Sequence, residues 1–390
     1  MGESLNQSPV VSVVVPVYNA EKYLPEAIED LQKQSLRDAE FIFVDDGSTD
    51  ASLKILQSAA EKDSRIRIFH QEHKYAGVAR NLGISVARGK WFIALDADDR
   101  FEPDLLKAAV KKGEKFDAQI VIFDADVLID GKLFEKKTLA YASQLPRGLF
   151  KPSEETFGAF GVTATWTKLY RLDFIREGQF LYQETFESND IRFTIHTMAS
   201  ASRVVALPKV LLHYRQGLKE NIQSGKDRFP FDVVKAYKSL RVMLEKDNLW
   251  EEFRKIYITR ALISLVMGRL LTFNSVVSAH QWFEQMQGCF LKELGLDSIR
   301  QDDIVGPYAD ILWSKYNAFI TMTFEEWLWT NIKDKEEQNL KLKKTNNSIA
   351  IQHEKLKKAN DEISSSISYR VGLFITFPIR FVFNLIRSWR

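Results

Sequence analysis

The sequence has a single cysteine, Cys289, among 390 residues. That excludes an internal disulfide framework and any zinc site built on thiolates. With no Cys/His motif around it, Cys289 reads as a helix-core filler. Excess charge of one sign is also lacking. The formal net charge of +2 is too near neutral to draw nucleic acid by its field. No run approaches the ~20 apolar residues that span a bilayer. The first ten residues lack the basic-then-apolar layout of a secretory leader, so the expected compartment is the cytoplasm. What remains, 45% hydrophobic and 27% charged residues, is the composition of a globular protein. At this length two or three folding units are expected.

Short β-rich runs at residues 10–15, 41–44, 66–69, 91–95 and 119–123 alternate with helical patterns at 20–34, 52–61, 77–87 and 103–112. Continuous apolar strands separated by helices predict an α/β, mostly parallel sheet with helices on both faces. Such a sheet binds ligands at the carboxyl ends of its strands. Residues 128–223 are more irregular, with an apolar hairpin-like stretch at 203–214. Residues 231–331 turn helical and rich in Trp, Leu and Phe, which reads as a separate all-α unit.

Three polar clusters fall where that sheet places its ligand. Pro16-Val17-Tyr18-Asn19 follows the first strand, Asp45-Asp46-Gly47-Ser48-Thr49-Asp50 the second, and Asp96-Ala97-Asp98-Asp99 the fourth. Each is intelligible as a strand-to-helix turn, with Gly47 permissive and Thr49 or Asp50 capping. Turn chemistry does not explain so many carboxylates along one sheet edge. Their repulsion calls for a positive counterpart, and Mn²⁺ or Mg²⁺ held between carboxylates and substrate phosphates supplies it.

These clusters, with Gly77-Val78-Ala79-Arg80-Asn81-Leu82-Gly83 between the second and third, resemble in order and spacing the family 2 glycosyltransferases of the GT-A fold. The resemblance covers roughly the first hundred residues. It implies inverting transfer from a nucleotide-activated sugar, usually a UDP-sugar, to an acceptor hydroxyl. It also implies roles. Pro16, Tyr18 and Asp46 line the base pocket, Asp46 accepting the uracil N–H, while Asp45 assists or holds a turn. Arg80 sits near the diphosphate, or is a surface arginine on its helix. Asp98 holds the metal and Asp96 contacts the ribose or a metal-bound water. Asp99 substitutes for either or caps a helix.

In Glu187-Ser188-Asn189-Asp190, Asp190 matches the family's catalytic base and Asn189 stands where Glu is usual. Glu187 is the reserve base. Trp166-Thr167-Lys168-Leu169-Tyr170 resembles the segment near the acceptor, where Trp166 either stacks on a sugar or fills the core. His213-Tyr214-Arg215 resembles the stretch after the last catalytic strand. Arg215 would close over the diphosphate with a lid at 217–225, and His213 would serve packing. His70 and His73 read as surface-loop residues.

Leu342, Ile349, Leu356 and Ile363 recur every seven residues, with Asn339, Asn346, His353, Asn360 and Ile367 filling the second, mostly polar seam. That describes a coiled coil with polar register-setting positions, or a solvated helix. In residues 369–390, Arg380, Arg387 and Arg390 oppose Phe374, Phe381, Leu385 and Trp389. This is the pattern of a helix on anionic lipid, or of one docked on the protein itself.

The expected organisation is a catalytic domain at 1–225, a helical domain at 226–331, a coiled coil at 332–368 and a membrane-contact helix at 369–390. Expected partners are a UDP-sugar, a glycan, lipid-linked or glycoprotein acceptor, a second copy through the C-terminal region, and the inner face of the plasma membrane. The transferred group is a hexose or N-acetylhexosamine. A nucleotidyltransferase would carry a Gly-rich basic loop in place of Pro16-Val17-Tyr18-Asn19. An inactive sugar-binding scaffold would have lost Asp96, Asp98 or Asp190.

Overall fold

The computed structural model describes residues 8–331 apart from 130, 131, 140, 141, 162, 217–228, 268–272 and 274. The lid at 217–225, the coiled coil at 332–368 and the amphipathic helix at 369–390 lie outside the described residues. No described helix is long and apolar enough to cross a membrane.

Ten strands among the described residues form one sheet: β1 (Val11–Val17), β2 (Ala39–Asp45), β3 (Ile66–His70), β4 (Trp91–Ala94), β5 (Arg100–Phe101), β6 (Ile120–Ile129), β7 (Lys132–Leu139), β8 (Leu149–Phe150), β9 (Lys168–Arg171) and β10 (Val204–Gln216). Their order is β3-β2-β1-β4-β9-β6-β10-β5, with β7 on β6 and β8 on β10. The helices between them are α1 (Leu24–Gln32), α2 (Ser52–Ala60), α3 (Tyr75–Val86), α4 (Leu105–Phe116), α5 (Leu172–Glu177) and α6 (Asn189–Ser200).

The apolar runs become strands because both faces are covered. Val11, Val13, Val15 and Val17 share a core with Leu24, Ala27 and Leu31 of α1. Val14 points to the opposite face, as strand alternation requires. There it meets Gly83 of α3, where an added Cβ would stand 2.2 Å from Val14 Cγ1.

β1 runs parallel to β2 and β4, and β2 parallel to β3. Val17 stands opposite Asp45, and Val14 opposite Ala94. The loops leaving β1, β2 and β4 therefore open along one edge. The sheet is mixed beyond that point, which corrects the mostly parallel expectation. β9 enters between β4 and β6 and runs antiparallel to both. The stretch at 203–214 is one long strand, not a hairpin. Its register shifts between Leu207 and Val210, around Pro208, which has no N–H to give to a ladder.

Beyond the sheet the described chain is helical: α7 (Asp232–Lys246), α8 (Trp250–Leu262), α9 (Val276–Gln285), α10 (Leu291–Glu293) and α11 (Ala309–Thr321). Tyr237, Tyr257, Trp282, Tyr316 and Phe319 are fully buried here. Cys289 is half-buried on the helical run after α9, not a core filler. Residues Met1–Thr321 form one compact unit and Met322–Arg390 a second. In the described part of the second, Thr323 and Glu326 cap a helix reciprocally: Thr323 N donates to Glu326 Oε2 at 2.9 Å and Glu326 N to Thr323 Oγ1 at 3.3 Å.

Candidate active site

The turns after β1 and β2 brace each other. Asn19, in the left-handed region at φ 47°, accepts Thr49 N–H on its Oδ1 at 2.8 Å, and its own N–H reaches Ser48 Oγ at 3.1 Å. Ser52 Oγ accepts Ala20 N–H at 2.8 Å. Gly47 has φ 75°, and a Cβ there would stand 3.0 Å from His73 N, so two constraints select glycine. The bracing presents Tyr18, 47% exposed, at the mouth of the edge. Pro16 lies inside β1 opposite Val44.

Asp45 and Asp46 are both buried. Asp46 Oδ1 accepts Gln71 Nε2–H at 2.6 Å and Lys74 N–H at 2.8 Å. His73 and His70 are not idle surface-loop residues. His70 Nδ1 lies 2.7 Å from Asp45 Oδ2, as the pairing of Asp45 with His70 across β2 and β3 demands. His73 Nδ1 donates to the Asp46 carbonyl at 3.1 Å and lies 2.9 Å from Asp46 Oδ2. Its ring stacks on Tyr18 with centroids 3.9 Å apart.

Asp96, Asp98 and Asp99 follow β4 in the middle of the same edge. Arg80 of α3 donates to Asp96 Oδ1 at 2.6 Å and to Asn189 Oδ1 at 2.8 Å. It is buried, not a surface arginine. Arg215 of β10 approaches from the other side. Its N–H meets Asp99 Oδ1 at 2.9 Å, its Nε–H the Asp98 carbonyl at 2.7 Å and its guanidinium Glu26 Oε2 at 2.7 Å. Burial and the Asp96 charge push the Asp98 carboxyl up to about 6. Burial and the charges of Asp98 and Asp96 push Asp99 well above the usual carboxylate range.

The segment carrying Asp190 is held by α3. Gly77 permits contact with it, since a Cβ there would stand 2.2 Å from Gln183 O and 3.0 Å from Asn189 Cβ. Asn81 clamps Tyr182 like a strand neighbour, donating to its carbonyl at 3.0 Å and accepting its N–H at 2.8 Å. From α7, Asp232 Oδ2 accepts Phe186 N–H at 3.0 Å. Asn189 opens α6, and as a neutral acceptor for Arg80 it adds no further charge beside Asp190. Burial pushes the Asp190 carboxyl up to about 6, with Asp96 adding to the rise and Arg80 and Lys168 opposing it. Lys168 is buried, donates to Ala164 O at 2.9 Å, and burial pulls its ammonium down to about 7. Glu187 is buried in the turn before α6.

Trp166 is only 7% exposed and stacks on Tyr214 with centroids 5.1 Å apart. Its ring face is thus covered by protein. His213 does more than pack: its ring lies between Asp126 Oδ1 at 2.6 Å and Glu102 Oε1 at 3.0 Å. Sequence reasoning missed these histidine–carboxylate contacts and the Asn189–Arg80 bond. Strand register could have found the first, but the second joins residues 109 positions apart.

The charges of Arg215 and Arg80 oppose the rise at Asp98, and Asp99 Oδ2 is buried with no hydrogen-bond partner among the described residues. Among the described residues, no group of three or more His, Cys, Asp or Glu side chains is arranged to hold a metal unaided. A hard divalent cation fits this set, because Mg²⁺-like ions take one or two carboxylates and complete their shell with water and substrate phosphate.

The comparisons with known proteins agree with this architecture. The model of the family described as "Glycosyl transferase family 2" matches residues 12–201. The protein named "Putative glycosyltransferase EpsH" from Bacillus subtilis (strain 168) is 30% identical over 260 residues, 64% of this chain and 73% of that one. Succinoglycan biosynthesis protein ExoO from Rhizobium meliloti (strain 1021) is 29% identical over 222 residues, 55% of this chain and 63% of that one. The crystal structure of S. aureus TarS 1–349 in complex with UDP-GlcNAc superposes with a TM-score of 0.60 at 19% identity, covering 84% of this chain and 92% of that one. That last likeness speaks to the fold. The chain belongs to glycosyl transferase family 2. It is a glycosyltransferase of the GT-A type.

Proposed function

We propose that this enzyme transfers a hexose or N-acetylhexosamine from a UDP-sugar, with inversion, to a hydroxyl of a glycan, lipid-linked or protein-linked acceptor. The observation that carries the reading is the Arg80 bridge. One guanidinium joins Asp96 of the Asp-x-Asp cluster to Asn189, the residue before Asp190. Donor-side carboxylates and a candidate base thus meet across one buried cation.

Tyr18 and Pro16 form the base platform, and Asp46 accepts the ring N–H. Support for uridine comes from TarS, whose structures are described as complexes with UDP and with UDP-GlcNAc. Arg80 keeps its buried Nε–H uncommitted, and with Arg215 it faces the diphosphate. Asp98, helped by Asp96, would hold Mn²⁺ or Mg²⁺, whose chemistry there is neutralisation of charge on the departing nucleotide. Asp190 takes the proton of the acceptor hydroxyl as that oxygen attacks the anomeric carbon. Its raised carboxyl suits a base working near neutrality, and Glu187 is the reserve. Trp166 and Lys168 form the acceptor wall from below, as buried supports. The name of ExoO, a succinoglycan biosynthesis protein, supports a glycan acceptor. Thermal unfolding with a panel of nucleotide sugars and Mn²⁺ tests the donor. UDP-sugars should raise the midpoint and GDP-sugars should not; the reverse order would overturn the assignment of the base pocket.

The division into catalytic residues 1–225, helical residues 226–331 and a tail belongs to the same proposal, supported by the change from sheet to helix after β10. For the tail, the heptad at 332–368 supports self-association, and the arginines facing Phe and Trp at 369–390 support peripheral contact with the inner membrane face. Removing 369–390 should release the protein from anionic vesicles in flotation while light scattering shows an unchanged oligomer. An insoluble truncation would mean a docked core helix.

A further inference from the structure

We propose that the His73 ring covers the nucleobase subsite and must swing out before a base can stack on Tyr18. The inference rests on the base-pocket reading above. His73 makes one of the two contacts that the reading assigns to uracil, the stack on Tyr18, and stands beside the carboxylate that would make the other. Its ring lies over Tyr18 at a centroid distance of 3.9 Å and an interplanar angle of 21°. That is the spacing of one stacked pair, and a third ring between them would need about twice the separation. The same imidazole turns an N–H toward Asp46, donating to its carbonyl at 3.1 Å and standing 2.9 Å from Oδ2. Asp46 Oδ2 is buried and receives no hydrogen bond of its own. It is the acceptor a base N–H would complete.

The corner carrying His73 is neither locked nor relaxed. The His73 side chain is 35% exposed. Two residues on, Tyr75 has φ 70°, a backbone state that costs an aromatic residue. The Tyr75 ring meets His73 edge-on at 4.9 Å and Phe186 at 5.2 Å. His73 is therefore joined by ring contacts to the turn before α6, which bears Asp190. A side chain that must vacate its place lowers apparent donor affinity by the fraction of molecules in the closed state.

The test is calorimetric titration with UDP and, separately, inorganic pyrophosphate, both with Mn²⁺, on the full chain and its His73→Ala, His73→Ser and Tyr18→Ala variants. Both His73 variants should bind UDP ~3–10-fold more tightly, the worth of one aromatic stack, and pyrophosphate as the parent does. Tyr18→Ala should weaken UDP. If Tyr18→Ala leaves UDP binding unchanged, the base pocket itself is misassigned. If Tyr18→Ala weakens UDP while folded His73 variants bind it no better, His73 is a base contact or a bystander and the placeholder is wrong. An equal gain for pyrophosphate would also overturn it, because that ligand has no base.

Discussion

Asp190→Asn leaves UDP binding intact and lowers transfer by ~10²–10⁴, the usual worth of a positioned general base. The amide keeps the shape of the side chain and the start of α6, where Asn189 still receives Arg80. It cannot take a proton. Because burial holds the Asp190 carboxyl up at about 6, the parent enzyme's kcat/KM should rise with pH through that value. Above it the carboxylate is available as a base; below it the group is protonated and transfer is lost. The asparagine variant should lose that limb of the profile. Steady-state rates across pH 5 to 8 on both proteins check this. Near-normal turnover in the variant would move the role to Glu187.

Asp98→Ala abolishes Mn²⁺-dependent stabilisation by UDP and takes most of the transfer activity with it, while the ligand-free protein keeps its fold. The fold should survive because Asp98 is a burden to the free enzyme. Its carboxyl is raised by burial and by the Asp96 charge, so removing it relieves repulsion in the cluster. The unfolding midpoint without ligand should therefore stay level or rise, while the shift on adding UDP and Mn²⁺ disappears. Circular dichroism melts and calorimetry on the same preparations give both readings. A collapsed midpoint would mean that Asp98 is structural. An undiminished UDP response would place the metal elsewhere.

The sequence alone determined five strands of the sheet, β1 to β4 and the start of β6, and the edge at which their polar clusters lie. Short, β-branched apolar runs such as Val11–Val17, bounded by turn residues, read as strands covered on both faces, and their loops then meet at the carboxyl end. The permissive turn at Gly47 was legible in the same way, but the role of Asn19 was not, because its partners Ser48 and Thr49 lie 29 and 30 positions along the chain. The antiparallel β9 was not legible, because four residues, Lys168–Arg171, carry no signal of which strands will flank them. Nor was the fate of Trp166, which depends on Tyr214 arriving from β10. Only the tertiary structure decided that Arg80 would span Asp96 and Asn189, that Asn81 would clamp Tyr182, and that His73 would lie on Tyr18. Those contacts depend on where α3, the turn before α6 and the loop after β3 come to rest around a shared edge. Periodicity reports which face of an element is buried, not which distant side chain it will meet.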